Sequence, residues 1–162
     1  MTTLPKRVRL VEVGPRDGLQ NERQPLPTAV KVELVERLIG SGLPAVEVTA
    51  FVSPRWVPQM ADNAEVLRAV LAGRCADRGA ALPVLTPNLQ GFDAAVAAGA
   101  REVAIFAAAS ESFSQKNINC RIDESLKRFA PVVNAASALD IKVRGAVKHN
   151  LNYVTMDGNI GC

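Results

Sequence analysis

A short β-branched run, Val8 to Val13, ends in Val13-Gly14-Pro15-Arg16-Asp17-Gly18-Leu19-Gln20-Asn21. An Arg beside an Asp sets a fixed cation next to a hard oxygen ligand, the pairing needed to stabilise an enolate oxygen beside a divalent metal. Neighbouring Arg and Asp residues are also common as exposed ion pairs at turns, where they contribute little. Glu47 sits in Ala45 to Thr49, AVEVT, on the face opposite its valine neighbours. A carboxylate on the inward face of a helix-covered parallel sheet is costly unless paired, and Arg16 from the neighbouring strand is its expected partner.

A second polar group follows later in the chain. Lys116, Asn117 and Asn119 lie in SESFSQKNINC, read as a loop able to hold a phosphate or a pantetheine amide, although polar loops commonly meet only solvent. Cys120 has no identifiable activating base, which argues against thiol catalysis. His149 is the only histidine, so a two-imidazole metal site is excluded and a surface position is expected. Cys75, Cys120 and Cys162 are odd in number and form no Cys-x-x-Cys pair. That argues against a disulfide framework or structural zinc, and toward a reducing compartment.

These residues need a frame, and the chain supplies one by alternation. Strands are expected at Val8 to Val13, Ala45 to Thr49, Leu82 to Leu85, Val103 to Phe106 and from Ile141 to Arg144. Helices are expected between them. The first is capped by Thr28 and carries Val30, Leu34, Val35, Leu38 and Ile39 at helical spacing, with Gly42 past its end. The second runs from Ala61 to Ala72 and is closed by Gly73; the third is capped by Asn88 and ended by Gly99. The fourth, capped by Asp123, reaches about Leu139 with Pro131 inside it. The long segment AFVSPRWVPQM lies between the second strand and its helix. Such alternation means α/β architecture with a parallel sheet, whose sites form at the strand C-terminal ends. Periodicity leaves open an open doubly wound sheet or about half of an eight-fold barrel. The sequence carries no G-x-G-x-x-G after the first strand and no G-x-x-x-x-G-K-[ST].

With 162 residues and 48% hydrophobic content the chain can bury an ordinary core. Nineteen Lys and Arg against 16 Asp and Glu, a net charge of +3 spread without a run, do not make a nucleic-acid footprint. Anionic small molecules such as a CoA thioester remain compatible. No stretch approaches the roughly 20 apolar residues of a membrane span, and the first residues, MTTLPKRVRLVEV, hold no apolar signal core. A cytoplasmic location is expected.

Taken in order, VEVGPRDGLQNE, AVEVTAFVSPRWVPQMAD, PVLTPNLQGFDAAVAAGAREVAIFAAASESFSQKNINC and IKVRG resemble the hydroxymethylglutaryl-CoA lyase family of metal-dependent lyases. The resemblance covers about 140 of the 162 residues, and the SPRWVPQM segment points to the lyase branch of a wider superfamily. It implies an eight-stranded (β/α)8 TIM barrel that cleaves 3-hydroxy-3-methylglutaryl-CoA to acetyl-CoA and acetoacetate by a retro-Claisen reaction, in leucine degradation and ketone-body formation. By position, Asp17 matches the family's metal-ligating aspartate, and Arg16 the arginine that stabilises the enolate and binds substrate. Glu47 matches the supporting glutamate. Gln20 shares the Arg16 loop, and Lys116 with Asn117 fall where the family meets the CoA portion. The implied metal is Mg²⁺ or Mn²⁺.

On this resemblance residues 1–145 are expected to form the N-terminal half of such a barrel, about four βα units and a fifth strand, with residues 146–162 a divergent tail. The family's His-x-His metal pair, its Asn ligand and its cysteine loop have no counterpart here, so the expected metal site is incomplete and catalysis by this chain alone is not expected. Two rival readings follow: an acyl-CoA-condensing synthase of the same superfamily, or a non-catalytic half-barrel that binds CoA or a partner subunit. Open strand edges leave room for a homo-oligomer.

Overall fold

The computed structural model describes residues 7–73 and 78–148. Cys75, His149, Cys162 and residues 149–162 of the expected tail lie outside the described residues. Parallel pairing dominates what is described. Strands β1 (Val84–Leu85), β2 (Glu102–Ala108) and β3 (Lys142–Lys148) form a parallel sheet in that order. Two more extended segments continue the array. Bridges from Ala45 to Ala81 and Ala50 to Leu85 set the 45–50 segment beside β1, and a bridge from Glu12 to Val46 sets the Glu12 segment beside that. The order across the array is therefore the order along the chain.

The five expected extended segments are present, but the first two are thinner than the sequence suggests. Val8 to Val11 carries no ladder among the described residues, and Val8 and Leu10 are exposed. The 45–50 segment pairs at isolated points, through Glu47 N–H to Glu12 O and Val48 N–H to Pro83 O. Pro83 explains part of this: a proline accepts but cannot donate, so the ladder is broken beside it. By contrast β3 continues through Ala146 and Val147 to Lys148, past Gly145 where the tail was expected to start.

Alternation sorts the side chains. Val46, Val48, Val84 and Val103 join a core with buried residues of the helices α1 (Thr28–Gly40), α2 (Asn63–Ala72), α3 (Leu89–Ala97) and α5 (Ile122–Ala138). Each fully buried valine or leucine contributes about 1.5–3 kcal/mol relative to exposure. Leu85 and Ala104, opposite in parity to Val84 and Val103, form a second cluster with Ala50 and Met60, against which Phe106 packs.

Several helix details differ from expectation. Thr28 opens α1 rather than capping it, because its hydroxyl donates instead to Asp62 Oδ2 at 2.7 Å. Val30 faces out, and the adjacent Lys31 lies on the buried face, 5% exposed. Its ammonium is compensated there: Nζ donates to Gln59 O and to Asp62 Oδ1, each at 2.6 Å. Helix α2 starts at Asn63, two residues later than expected, since Pro58–Met60 turns as a 3₁₀ helix first. Asp123 lies in the first turn of α5 and not at its cap. The polar stretch read as a loop is largely a helix, α4 (Glu111–Ile118), capped by Ser110, whose Oγ accepts from Phe113 N–H. Asn119 ends it with φ 50°, a left-handed conformation that asparagine tolerates better than most residues.

Asn88 caps α3 as expected, its Oδ1 accepting from Gly91 N–H at 2.9 Å. Gly91 also lets α3 approach the end of the 45–50 segment, because a Cβ there would lie 2.4 Å from Phe51 O. Gly91→Ala is therefore expected to destabilise the chain by about 1–3 kcal/mol, more than alanine's helix propensity returns. Urea unfolding checks this: the midpoint should fall while the slope stays unchanged.

Candidate active site

The chain leaves the Glu12 segment through a π-helical turn, Gly14–Gly18, in which Arg16 and Asp17 N–H both donate to Val13 O. The turn has a consequence for the side chains. Successive residues of a strand point to opposite faces, whereas successive residues of a helical turn diverge by only about a quarter of a turn. Arg16 and Asp17, adjacent in sequence, are thus both buried on one side, each 3% exposed. Single π-type turns of this kind concentrate at functional sites.

Glu47 is fully buried on the face opposite Val46 and Val48. Its Oε1 accepts from Arg16 Nε, the pair expected from sequence. Its Oε2 is ion-paired with Arg144 of β3. Asp17 Oδ1 accepts from Arg16 Nη1 and from Gln20 Nε2, while Asn21 Nδ2 donates to the Asp17 carbonyl at 2.5 Å. Two cations and two carboxylates balance in this set, as buried charges must. The preceding Glu12 holds the turn's entry, its Oε1 accepting from Gly14 N–H at 2.6 Å.

Of these groups, Arg16, Asp17, Gln20 and Glu47 line a cavity of about 170 Å³. Arg16, Asp17, Gln20, Glu47 and Asn117 make the polar side. Val52, Leu85, Pro87, Phe106 and Ala146 make the apolar side. The loop between Val52 and α2 is pinned beside it, by Lys31 from below and by Gln59 Nε2 donating to Glu22 O at 2.7 Å. That second bond ties the loop to the Leu19–Asn21 turn carrying Gln20.

The residues singled out from sequence separate into two groups. Arg16, Asp17, Gln20, Glu47 and Asn117 come together. Lys116 is exposed and does not line the cavity. Asn119 is engaged in its own helix, accepting from Gln115 Nε2 at 2.7 Å. Cys120 is buried and likewise does not line the cavity. Sequence reasoning missed Arg144, although its alternation with Val143 in IKVRG gives it the parity of the sheet face that holds Glu47. It also missed the apolar wall, for which no signal was available, since apolar residues at strand ends read as core.

A protein-family model described as HMGL-like matches residues 7–153. The chain belongs to the HMGL-like family. It is 59% identical over 156 residues to the mitochondrial hydroxymethylglutaryl-CoA lyase of Gallus gallus, covering 96% of this chain and 51% of that protein. The chain thus spans about half the length of the curated relatives it matches. Its fold superposes on the hydroxymethylglutaryl-CoA lyase of Pseudomonas aeruginosa with a TM-score of 0.80 at 56% identity, covering 89% of this chain and 47% of that one. A lyase from Acinetobacter baumannii, solved with coenzyme A and 3-methylmalate, superposes with a TM-score of 0.76 at 30% identity, covering 91% of this chain and 47% of that one. These matches decide between the two sheet architectures left open by periodicity: the parallel array is part of a lyase TIM-barrel fold.

The relatives also overturn the expected cytoplasmic location. Those from Gallus gallus, Bos taurus, Arabidopsis thaliana and Rattus norvegicus are named mitochondrial, and one from Mus musculus is named cytoplasmic. The reducing compartment expected from the cysteine pattern does not name one compartment. No helix among the described residues is long and apolar enough to cross a membrane.

Lyases of this family are metal-dependent in general. Among the described residues no three His, Cys, Asp or Glu side chains gather as a metal would require. Asp17 is a single carboxylate whose Oδ1 already accepts from two donors, so the described residues do not by themselves fit a complete divalent-ion centre.

The buried ion set yields an asymmetric prediction. Glu47→Ala leaves Arg16 and Arg144 without their shared carboxylate and is expected to cost about 3–5 kcal/mol. Arg144→Met should cost clearly less, because the Arg144 side chain is 23% exposed and Arg16 still neutralises Glu47. Chemical denaturation of the two variants beside the parent checks the order.

Proposed function

We propose that this site serves hydroxymethylglutaryl-CoA lyase-type chemistry, the retro-Claisen cleavage of 3-hydroxy-3-methylglutaryl-CoA to acetyl-CoA and acetoacetate. The observation that carries the reading is the buried Arg16 guanidinium, held by Glu47 and Asp17 at the C-terminal end of the sheet within a chain of the HMGL-like family. In the cleavage a base takes the proton of the tertiary hydroxyl, and that carbon becomes the ketone of acetoacetate as the adjacent carbon–carbon bond breaks. The bond's electron pair passes to the acetyl-CoA enolate, whose charge rests on the thioester oxygen until a proton is returned to its α-carbon. A fixed cation beside that oxygen lowers the barrier, because it is oriented before charge develops.

In this reading Arg16 stabilises the enolate oxygen, Glu47 supports the site by fixing Arg16, and Gln20 holds Asp17. Asn117 meets the substrate from the α4 side, and Lys116, one residue away and exposed, meets the anionic CoA portion outside the cavity. Asp17 is the one carboxylate here suited to a divalent metal, Mg²⁺ or Mn²⁺, with further ligands needed beyond the described residues. The ligands in the Acinetobacter baumannii structure suit the same chemistry, since 3-methylmalate is a methyl-bearing hydroxy dicarboxylate.

Titration calorimetry of the purified chain with 3-hydroxy-3-methylglutaryl-CoA and Mn²⁺, beside Arg16→Gln, tests the reading. Binding by the parent is expected to weaken at least tenfold in the variant. Any acetoacetate release in the same samples should fall by about 10²–10³. Equal binding by two well-folded proteins would overturn the reading.

A further inference from the structure

The polar side of the cavity accounts for the thioester and hydroxyl ends of a substrate; its apolar side is unused by that chemistry. Phe106 lies on this side near the end of β2, with Ala146 of β3 as its partner in register, and both line the cavity. The Phe106 ring is itself fixed from behind. It meets Phe129 of α5 edge-on, centroids 5.8 Å apart and planes at 62°, an arrangement aromatic pairs favour. Phe129 is buried, so the brace is part of the packed interior.

A wall of Val52, Leu85, Pro87, Phe106 and Ala146 offers a substrate no side-chain hydrogen bond. It rewards burial of alkyl carbon and penalises a hydroxyl or charge placed against it. Because the ring is braced, the depth available on that side is set by Phe106 and not by a side chain free to rotate away.

We infer that Phe106 is the specificity-determining residue for the alkyl branch of the substrate's acyl group, and that Phe129 is a positioning residue acting through it. This rests on the acyl-CoA reading above and goes beyond it by naming what selects the branch. One methyl fits against the ring; a hydrogen leaves a gap, and a longer branch collides.

Three CoA esters differing only in the branch test the assignment: 3-hydroxyglutaryl-CoA, 3-hydroxy-3-methylglutaryl-CoA and its 3-ethyl homologue. Their binding to the 162-residue chain is measured by titration calorimetry with Mn²⁺ present. The parent is expected to prefer the methyl ester over the unbranched one by roughly fourfold, the worth of one buried methyl, and over the ethyl ester by roughly tenfold or more. Phe106→Ala should reverse the second preference so that the ethyl ester binds best. Phe106→Leu, which nearly keeps the volume and guards against misfolding of the alanine variant, should narrow it. Phe129→Leu should narrow it too, while Leu126→Ala, at an exposed position of α5, should leave all ratios unchanged. General loosening of the fold would weaken the three esters together without changing their order. An unchanged order in folded Phe106 variants overturns the assignment and leaves the acyl-CoA reading intact. Failure of the parent to bind any of the three esters overturns both.

Discussion

The Glu47 carboxylate meets two guanidiniums that reach it across one face of the sheet from its two flanks. Arg16 comes from the turn after the Glu12 segment, one neighbour away, and Arg144 from β3, three neighbours away. Strands lie about 4.8 Å apart, so in a flat sheet the backbones of Glu47 and Arg144 would be some 14 Å from each other. That distance exceeds what an ion pair between their side chains can bridge comfortably. The sheet must therefore roll toward its Glu47 face, and the pair records that curvature. A wall curved this way is what closure of parallel strands into a barrel demands, and it agrees with the superposition on lyase structures.

One register then serves two purposes. Pairing of Ala104 with Arg144 and of Phe106 with Ala146 comes from the same β2–β3 ladder. It sets Arg144 on the face of Glu47 and brings Phe106 and Ala146 into the apolar part of the cavity lining. A slip by one residue would turn both sets toward the helices. The packing of Val103, Ile105 and Val143 against the helix-side core opposes that slip. The charged centre and the apolar wall are thus coupled through hydrophobic burial some distance from either.

Much of this was legible in the residues. Alternation in AVEVT placed Glu47 inward, and the cost of an unpaired buried carboxylate pointed to Arg16. Asn88 and Gly99 punctuated α3 where turn chemistry said they would. What stayed hidden depended on partners distant in sequence. Lys31 falls on the apolar stripe of α1, four residues before Val35, but its charge argues for the surface; it is accommodated inside because Gln59 and Asp62 meet its ammonium. The SESFSQKNI helix lacks an apolar stripe, so the period that reveals other helices is missing. Its Ser110 cap and first-turn Glu111 were the available signals. Compartment lay beyond reach for another reason: free thiols register redox potential, and several compartments share one.

The array has a further property in its order, in which every strand lies beside the one made just before it. Among the described residues each paired segment finds its partner next in chain order. Each new βα unit finds its docking edge already in place, so loop-closure entropy is met in modest, similar instalments. Such a chain can assemble from its N-terminal end while synthesis is still under way. The growing sheet would then act as its own template, and the Arg144 to Glu47 contact, which needs four consecutive elements in place, would close late and register that the preceding units had stacked correctly.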